Sequence, residues 1–105
     1  MKKALIICNA GMSSSLMADK TSAYYKENAK DIEVEATTVM KADKYIKDGS
    51  YDLYLVSPQM KLHFDKLKDL ADKNNRNIRQ IPTDCYSPIK TSIEKLAYFI
   101  EEAIR

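Results

Sequence analysis

Hydrophobic and polar positions divide this chain into short apolar runs and longer amphipathic stretches that alternate from end to end. Residues 4–7 (Ala-Leu-Ile-Ile) and 53–56 (Leu-Tyr-Leu-Val) are apolar throughout, the pattern of strands covered on both faces. Over residues 32–38, Ile32, Val34, Ala36 and Thr38 alternate with Glu33, Glu35 and Thr37, which marks a strand with one wet face. Ile78-Arg79-Gln80-Ile81 is short and half polar. The first and third runs therefore belong inside a sheet, and the second and fourth at its edges.

Helical spacing is clearest where Ile89, Ile93, Leu96, Ala97, Ile100, Ala103 and Ile104 fall on one face, with Pro88 at the helix entrance. Phe64, Leu67, Leu70 and Ala71 repeat the pattern, and Asn74-Asn75 can end that helix. Two further helices are expected over residues 14–28 and, before Gly49, over 42–47. Alternating strands and helices imply parallel strands joined by crossover helices. Right-handed crossovers and two wet edges predict a three-layer α/β fold with a four-stranded parallel sheet in order 2-1-3-4. No repeat, low-complexity tract or linker interrupts the 105 residues, so residues 1–105 are expected to form one domain.

Ligands of such sheets bind beyond the carboxyl ends of the strands, where the strand order reverses. Here that is the gap between the first and third strands, flanked by Ser57-Pro58-Gln59-Met60 and by Cys8-Asn9-Ala10-Gly11-Met12-Ser13-Ser14-Ser15. A small-residue loop leading into a helix can converge its backbone N–H groups on an anion, and the helix adds its positive dipole end. Gly11 permits positive φ or close approach of a ligand, and Ser13, Ser14 and Ser15 can donate hydroxyls to phosphate or cap the helix. Asn9, Ala10, Gly11, Met12, Ser13, Ser14 and Ser15 thus read as a phosphate-binding loop. Cys8, before it, reads as a thiolate nucleophile, although a free cysteine that ends a strand also serves commonly as a small core hydrophobe.

A cysteine phosphatase loop carries Arg six residues after its cysteine, and here position 14 is Ser. Without a guanidinium fork on the equatorial oxygens, fast hydrolysis loses support and transfer to another acceptor is favoured. Gln59 is a candidate partner contact or loop buttress, or else a cap of the third helix. Asp84 lies on the rim after the fourth strand, where phosphatases place a general acid, but a turn aspartate before Tyr86 and Pro88 is ordinary. Cys85 should stand two strands, about 10 Å, from the first strand, out of reach of Cys8 and in the core. His63, the single histidine, reads as a surface residue, and Tyr24, Tyr25, Tyr45, Tyr51 and Tyr54 read as packing rather than as a base-stacking surface.

Composition narrows the classes further. Seventeen Lys and Arg against fifteen Asp and Glu leave a formal +2, too weak and dispersed for a nucleic-acid partner. No uninterrupted apolar run is longer than residues 4–8, far short of the roughly 20 that span a bilayer. Met1-Lys2-Lys3 leads into a strand rather than an export signal, so a cytoplasmic protein with no direct membrane insertion is expected. The two cysteines should be free thiols, and their spacing fits no zinc pattern.

The run Cys8-Asn9-Ala10-Gly11-Met12-Ser13-Ser14-Ser15-Leu16, the Ser57-Pro58-Gln59 turn, the length and the element order resemble the IIB components of bacterial sugar phosphotransferase systems, lactose/cellobiose/chitobiose class. The family often has Gly where Ser57 stands and Tyr-Gly where Tyr86-Ser87 stands. The resemblance implies that Cys8 takes a phosphoryl group from a phosphohistidine of the IIA protein. It implies that the group then passes to a sugar held by the IIC membrane permease, without metal or organic cofactor. A monomer is the simpler expectation, because no large exposed apolar stripe is evident. The alternatives are a low-molecular-weight cysteine phosphatase or arsenate reductase relative, and a module that senses phosphate without a covalent step.

Overall fold

In the computed structural model, residues 1–9 and 12–105 are described, Met12 and Ser13 by their backbone alone. Four parallel strands form one sheet: β1 (Lys2–Cys8), β2 (Ile32–Thr38), β3 (Leu53–Val56) and β4 (Ile78–Gln80), in the order β2-β1-β3-β4. The helices are α1 (Met12–Glu27), α2 (Val39–Asp48), α3 (Phe64–Lys73) and α4 (Lys90–Ile104). The predicted three-layer architecture and strand order are both present.

Handedness decides which helix covers which face. Because β1 to β2 steps one way across the sheet and β2 to β3 to β4 steps the other, right-handed crossovers put α1 on one face and α2 with α3 on the opposite face. The two cores follow from this. Ala4, Ile6, Leu53 and Leu55 pack with Met17, Tyr25, Leu96 and Ile100 of α1 and α4. Leu5, Ile7, Tyr54 and Val56 pack with Ala42, Ile46, Leu67 and Ala71 of α2 and α3. Strand alternation thus feeds two hydrophobic layers, so β1 and β3 have no polar position between Ala4 and Ile7 or between Leu53 and Val56.

Differences from the sequence expectation lie mainly at boundaries. β1 begins at Lys2, since Lys2 and Lys3 pair with Ile32 and Glu33 across the ladder, and backbone pairing does not require apolar side chains. On β2, Thr37 is 9% exposed although its position belongs to the wet series. Glu33 and Glu35 do stay half-exposed, with Lys3 Nζ 3.9 and 4.0 Å from their carboxylates, contacts that add little at a solvated edge. Two 3-10 turns, Pro58–His63 and Thr83–Cys85, extend the loops after β3 and β4. Helix ends follow the sequence signals: Gly49 caps α2 in the left-handed region at φ 68°, and Asn74 caps α3, with Asn75 at φ 58°.

Candidate functional site

β1 delivers Cys8 to the carboxyl edge of the sheet as its last residue, and α1 starts four positions later. Ser14, in the first turn of α1, is fully buried, and its Oγ lies 2.8 Å from Cys8 Sγ. The contact seats the amino end of α1 against the sulfur, so the positive end of the helix dipole faces it. Cys8 itself is 3% exposed. Chemistry at this sulfur therefore requires it to become accessible to its reaction partner. Asn9 and Ser15 are exposed. Ala10, Gly11, and the side chains of Met12 and Ser13, which complete the expected phosphate-binding loop, lie outside the described residues.

The strand-order switch places the end of β3 beside Cys8. Ser57 N–H donates to Ile7 O at 3.0 Å, which carries the β1–β3 ladder one residue past Val56. Ser57 is fully buried and starts the 3-10 turn Pro58–His63. Gln80, the last residue of β4, sends Nε2 to Ser57 O at 2.8 Å and to Val56 O at 3.1 Å. This amide holds the end of β3 in place. The sequence reading took Gln80 only as a polar edge-strand residue; its signal was its place at the last position of the strand next to the switch.

Gln59 is exposed inside the 3-10 turn, and His63 occupies the N-cap of α3. Gln59 therefore does not cap the third helix: the tight turn intervenes and moves the cap four residues on. Asp84 sits in the turn Thr83–Cys85, its carboxylate 3.6 Å from Lys95 Nζ and its carbonyl accepting from Ser92 Oγ at 3.1 Å. Both bonds tie the turn to α4. Cys85 packs into the α1/α4 core with 7% exposure, and both cysteines are free thiols. Burial first, and the neighbouring Asp84 carboxylate second, push the Cys85 thiol above its ordinary value.

The tyrosines serve packing. Tyr25 is fully buried and donates to Ala97 O of α4 at 2.7 Å, while Tyr45, Tyr51 and Tyr54 meet edge to face. Among the described residues, no group of His, Cys, Asp and Glu is arranged to hold a metal ion. No helix among them is long and apolar enough to cross a membrane.

Fold and site together define a small parallel α/β domain with a thiol at the strand-order switch, set against the amino end of the first helix. Residues 3–95 match the family described as "PTS system, Lactose/Cellobiose specific IIB subunit", and the chain belongs to that family of phosphotransferase-system components of sugar transport. It is 31% identical over 86 residues to the oligo-beta-mannoside-specific EIIB component of Bacillus subtilis (strain 168), covering 82% of each chain. Its fold matches the lactose-specific IIB domain of Streptococcus pneumoniae with a TM-score of 0.84 at 18% identity, over 99% of this chain and 98% of that one. The cellobiose-specific IIB protein of Borrelia burgdorferi gives 0.76 at 22% identity, over 98% and 91%.

Proposed function

We propose that this protein is a phosphoryl carrier whose nucleophile is Cys8. The thiolate attacks the phosphorus of a phosphohistidine on the IIA protein; the P–N bond breaks with its electron pair returning to the imidazole, and an S–P bond forms. A hydroxyl of the sugar bound by the IIC permease then attacks phosphorus, the S–P pair returns to sulfur, and the hydroxyl proton is released. The loop Asn9, Ala10, Gly11, Met12, Ser13, Ser14 and Ser15 supplies amide and hydroxyl donors to the equatorial oxygens. Neither metal nor organic cofactor takes part.

The observation that carries this reading is the seat of Cys8 at the end of β1 with the first turn of α1 on its sulfur. Serine at position 14, rather than a guanidinium, favours a group that survives until the next acceptor arrives. Because Cys8 is 3% exposed, docking of IIA or IIC must uncover the sulfur. The partners then use one rim in turn, through small transient interfaces, with Gln59 and Asp84 among the rim contacts. The carrier acts in the cytoplasm as a monomeric single domain, meeting the membrane only through IIC. The substrate class is a β-linked sugar of the cellobiose, chitobiose or lactose kind, a reading in keeping with the oligo-beta-mannoside specificity named for the Bacillus relative.

Mass spectrometry after incubation with phosphorylated IIA tests the proposal. The wild type should gain one phosphoryl group, on Cys8, that tolerates acid and is lost when sugar and IIC are added. Cys8→Ala should gain none. Label on His63, or steady phosphate release from an aryl phosphate, rejects the carrier in favour of another residue or of a phosphatase.

A further inference from the structure

The end of β3 holds a polar group that the carrier reading leaves unused. The β1–β3 register runs from Ala4↔Leu53 to Ile7↔Val56, and the Ser57 N–H to Ile7 O bond continues it, so Ser57 stands beside Cys8. Alternation says which way both side chains point. Ala4, Ile6, Leu53 and Leu55 enter the α1/α4 core, whereas Leu5, Ile7, Tyr54 and Val56 enter the other. Cys8 and Ser57 are the next members of the first series, on strands about 4.8 Å apart. They face the same side, where Ser14 of α1 meets the sulfur.

Ser57 is 0% exposed, and its Oγ has no hydrogen-bond partner among the described residues. A buried hydroxyl left unpaired is destabilising, and a ligand that arrives with acceptor oxygens relieves it. The backbone that carries this hydroxyl is immobilised: Ser57 O accepts from Gln80 Nε2 at 2.8 Å and from Met60 N–H at 3.0 Å. Its reach is then set by one side-chain torsion.

We propose that Ser57 is a further phosphoryl-binding residue, its Oγ–H donating to a nonbridging oxygen of the phosphoryl group on Cys8 Sγ. The inference rests on the carrier reading. No bond to Ser57 forms or breaks, and its proton stays on Oγ throughout. A donor at the end of β3 complements those of the β1–α1 loop, so the group is held from both sides of the switch.

Wild type and Ser57→Ala, each phosphorylated by a histidine-phosphorylated IIA protein of the lactose/cellobiose type, give the test. Three quantities are followed: the ³¹P resonance of the phosphocysteine, the rate of phosphoryl acceptance and the thermal midpoint of the unphosphorylated protein. The variant should show a displaced resonance and an acceptance slowed about ten- to hundredfold, the worth of one hydrogen bond to a charged group. Its midpoint should stay level or rise, since Ser57 Oγ makes no hydrogen bond among the described residues that the substitution could remove. Ser57→Gly should repeat the slowed acceptance. Unchanged resonance and rate overturn the proposal, and so does a lowered midpoint or failed folding of Ser57→Ala, which would mean that the hydroxyl serves the resting structure. A wild type that takes no phosphoryl group on Cys8 removes the carrier reading itself, an outcome that does not involve Ser57.

Discussion

Gly49→Ala probes how the chain turns from α2 into β3, and its cost follows from two separable sources. Gly49 sits at φ 68°, where an L side chain costs about 1–2 kcal/mol. A Cβ added there would stand 2.5 Å from Arg76 Cζ and Nη2 and 2.9 Å from Nε. The guanidinium has to leave. With it go the Nε bond to Ile46 O and the Nη2 bond to Lys47 O, both 2.9 Å, which satisfy carbonyls in the last turn of α2. In this half-buried place the pair contributes about 1–2 kcal/mol, so Gly49→Ala should cost about 3 kcal/mol in all. Urea denaturation reads this as a midpoint lowered by about 1–3 M at an unchanged slope of about 1–3 kcal/mol/M. Arg76→Ala alone should lose only the two bonds, and Gly49→Ala added to it only the backbone term. The double variant should therefore be about 1–2 kcal/mol more stable than the sum of the single effects predicts. Additive costs, or a neutral Gly49→Ala, would refute the idea that one guanidinium and one glycine share this cap. Because the cap lies at the amino end of β3 and β4, phosphoryl acceptance under native conditions should be untouched.

Further outcomes follow from two buried titratable groups, Tyr25 and Cys85. Burial first, then the Glu101 and Tyr24 charges, raise the Tyr25 hydroxyl well above its ordinary 10.0, so the folded protein keeps a proton that the unfolded chain releases. The stability that Tyr25 contributes is full below pH 10 and declines above it. Tyr25→Phe should thus cost about 1 kcal/mol near neutrality through the lost bond to Ala97 O, and its gap from wild type in urea midpoint should close as pH rises past 10; a constant gap contradicts the assignment. Cys85, held protonated by burial and by Asp84, should react slowly with iodoacetamide at pH 7 in the native protein and rapidly in urea. Cys85→Ala should keep full phosphoryl acceptance from IIA, and a loss of acceptance would show that this thiol belongs to the carrier chemistry.

Much of the architecture was legible because burial on two faces leaves a plain trace. Residues 4–7 and 53–56 are uniformly apolar, and both runs are interior strands between two helical layers. The alternating run after Asp31 and the short run after Asn77 became the edges. The turns Pro58–His63 and Thr83–Cys85 were not legible, since 3-10 turns arise from local closure and leave no apolar period of their own. Thr37 escaped for a different reason: its burial depends on what packs over that face of β2, not on the strand's own alternation. At the site, Cys8 and Ser14 were read from one contiguous segment, whereas Gln80 lies more than 60 residues away in sequence and gained a role only through the β3–β4 pairing.

The chain's own pattern determined that strands and helices alternate, which strands are interior, and that a small-residue loop follows a cysteine at a strand end. These are local properties, set by side-chain chemistry and by the two periods of 2 and 3.6 residues. Tertiary structure alone decided that Ser57 is fully buried, that Gln80 holds the end of β3, and that the Cys8 sulfur is covered at rest. Such facts depend on register and on contacts between residues far apart in sequence, which no local pattern encodes.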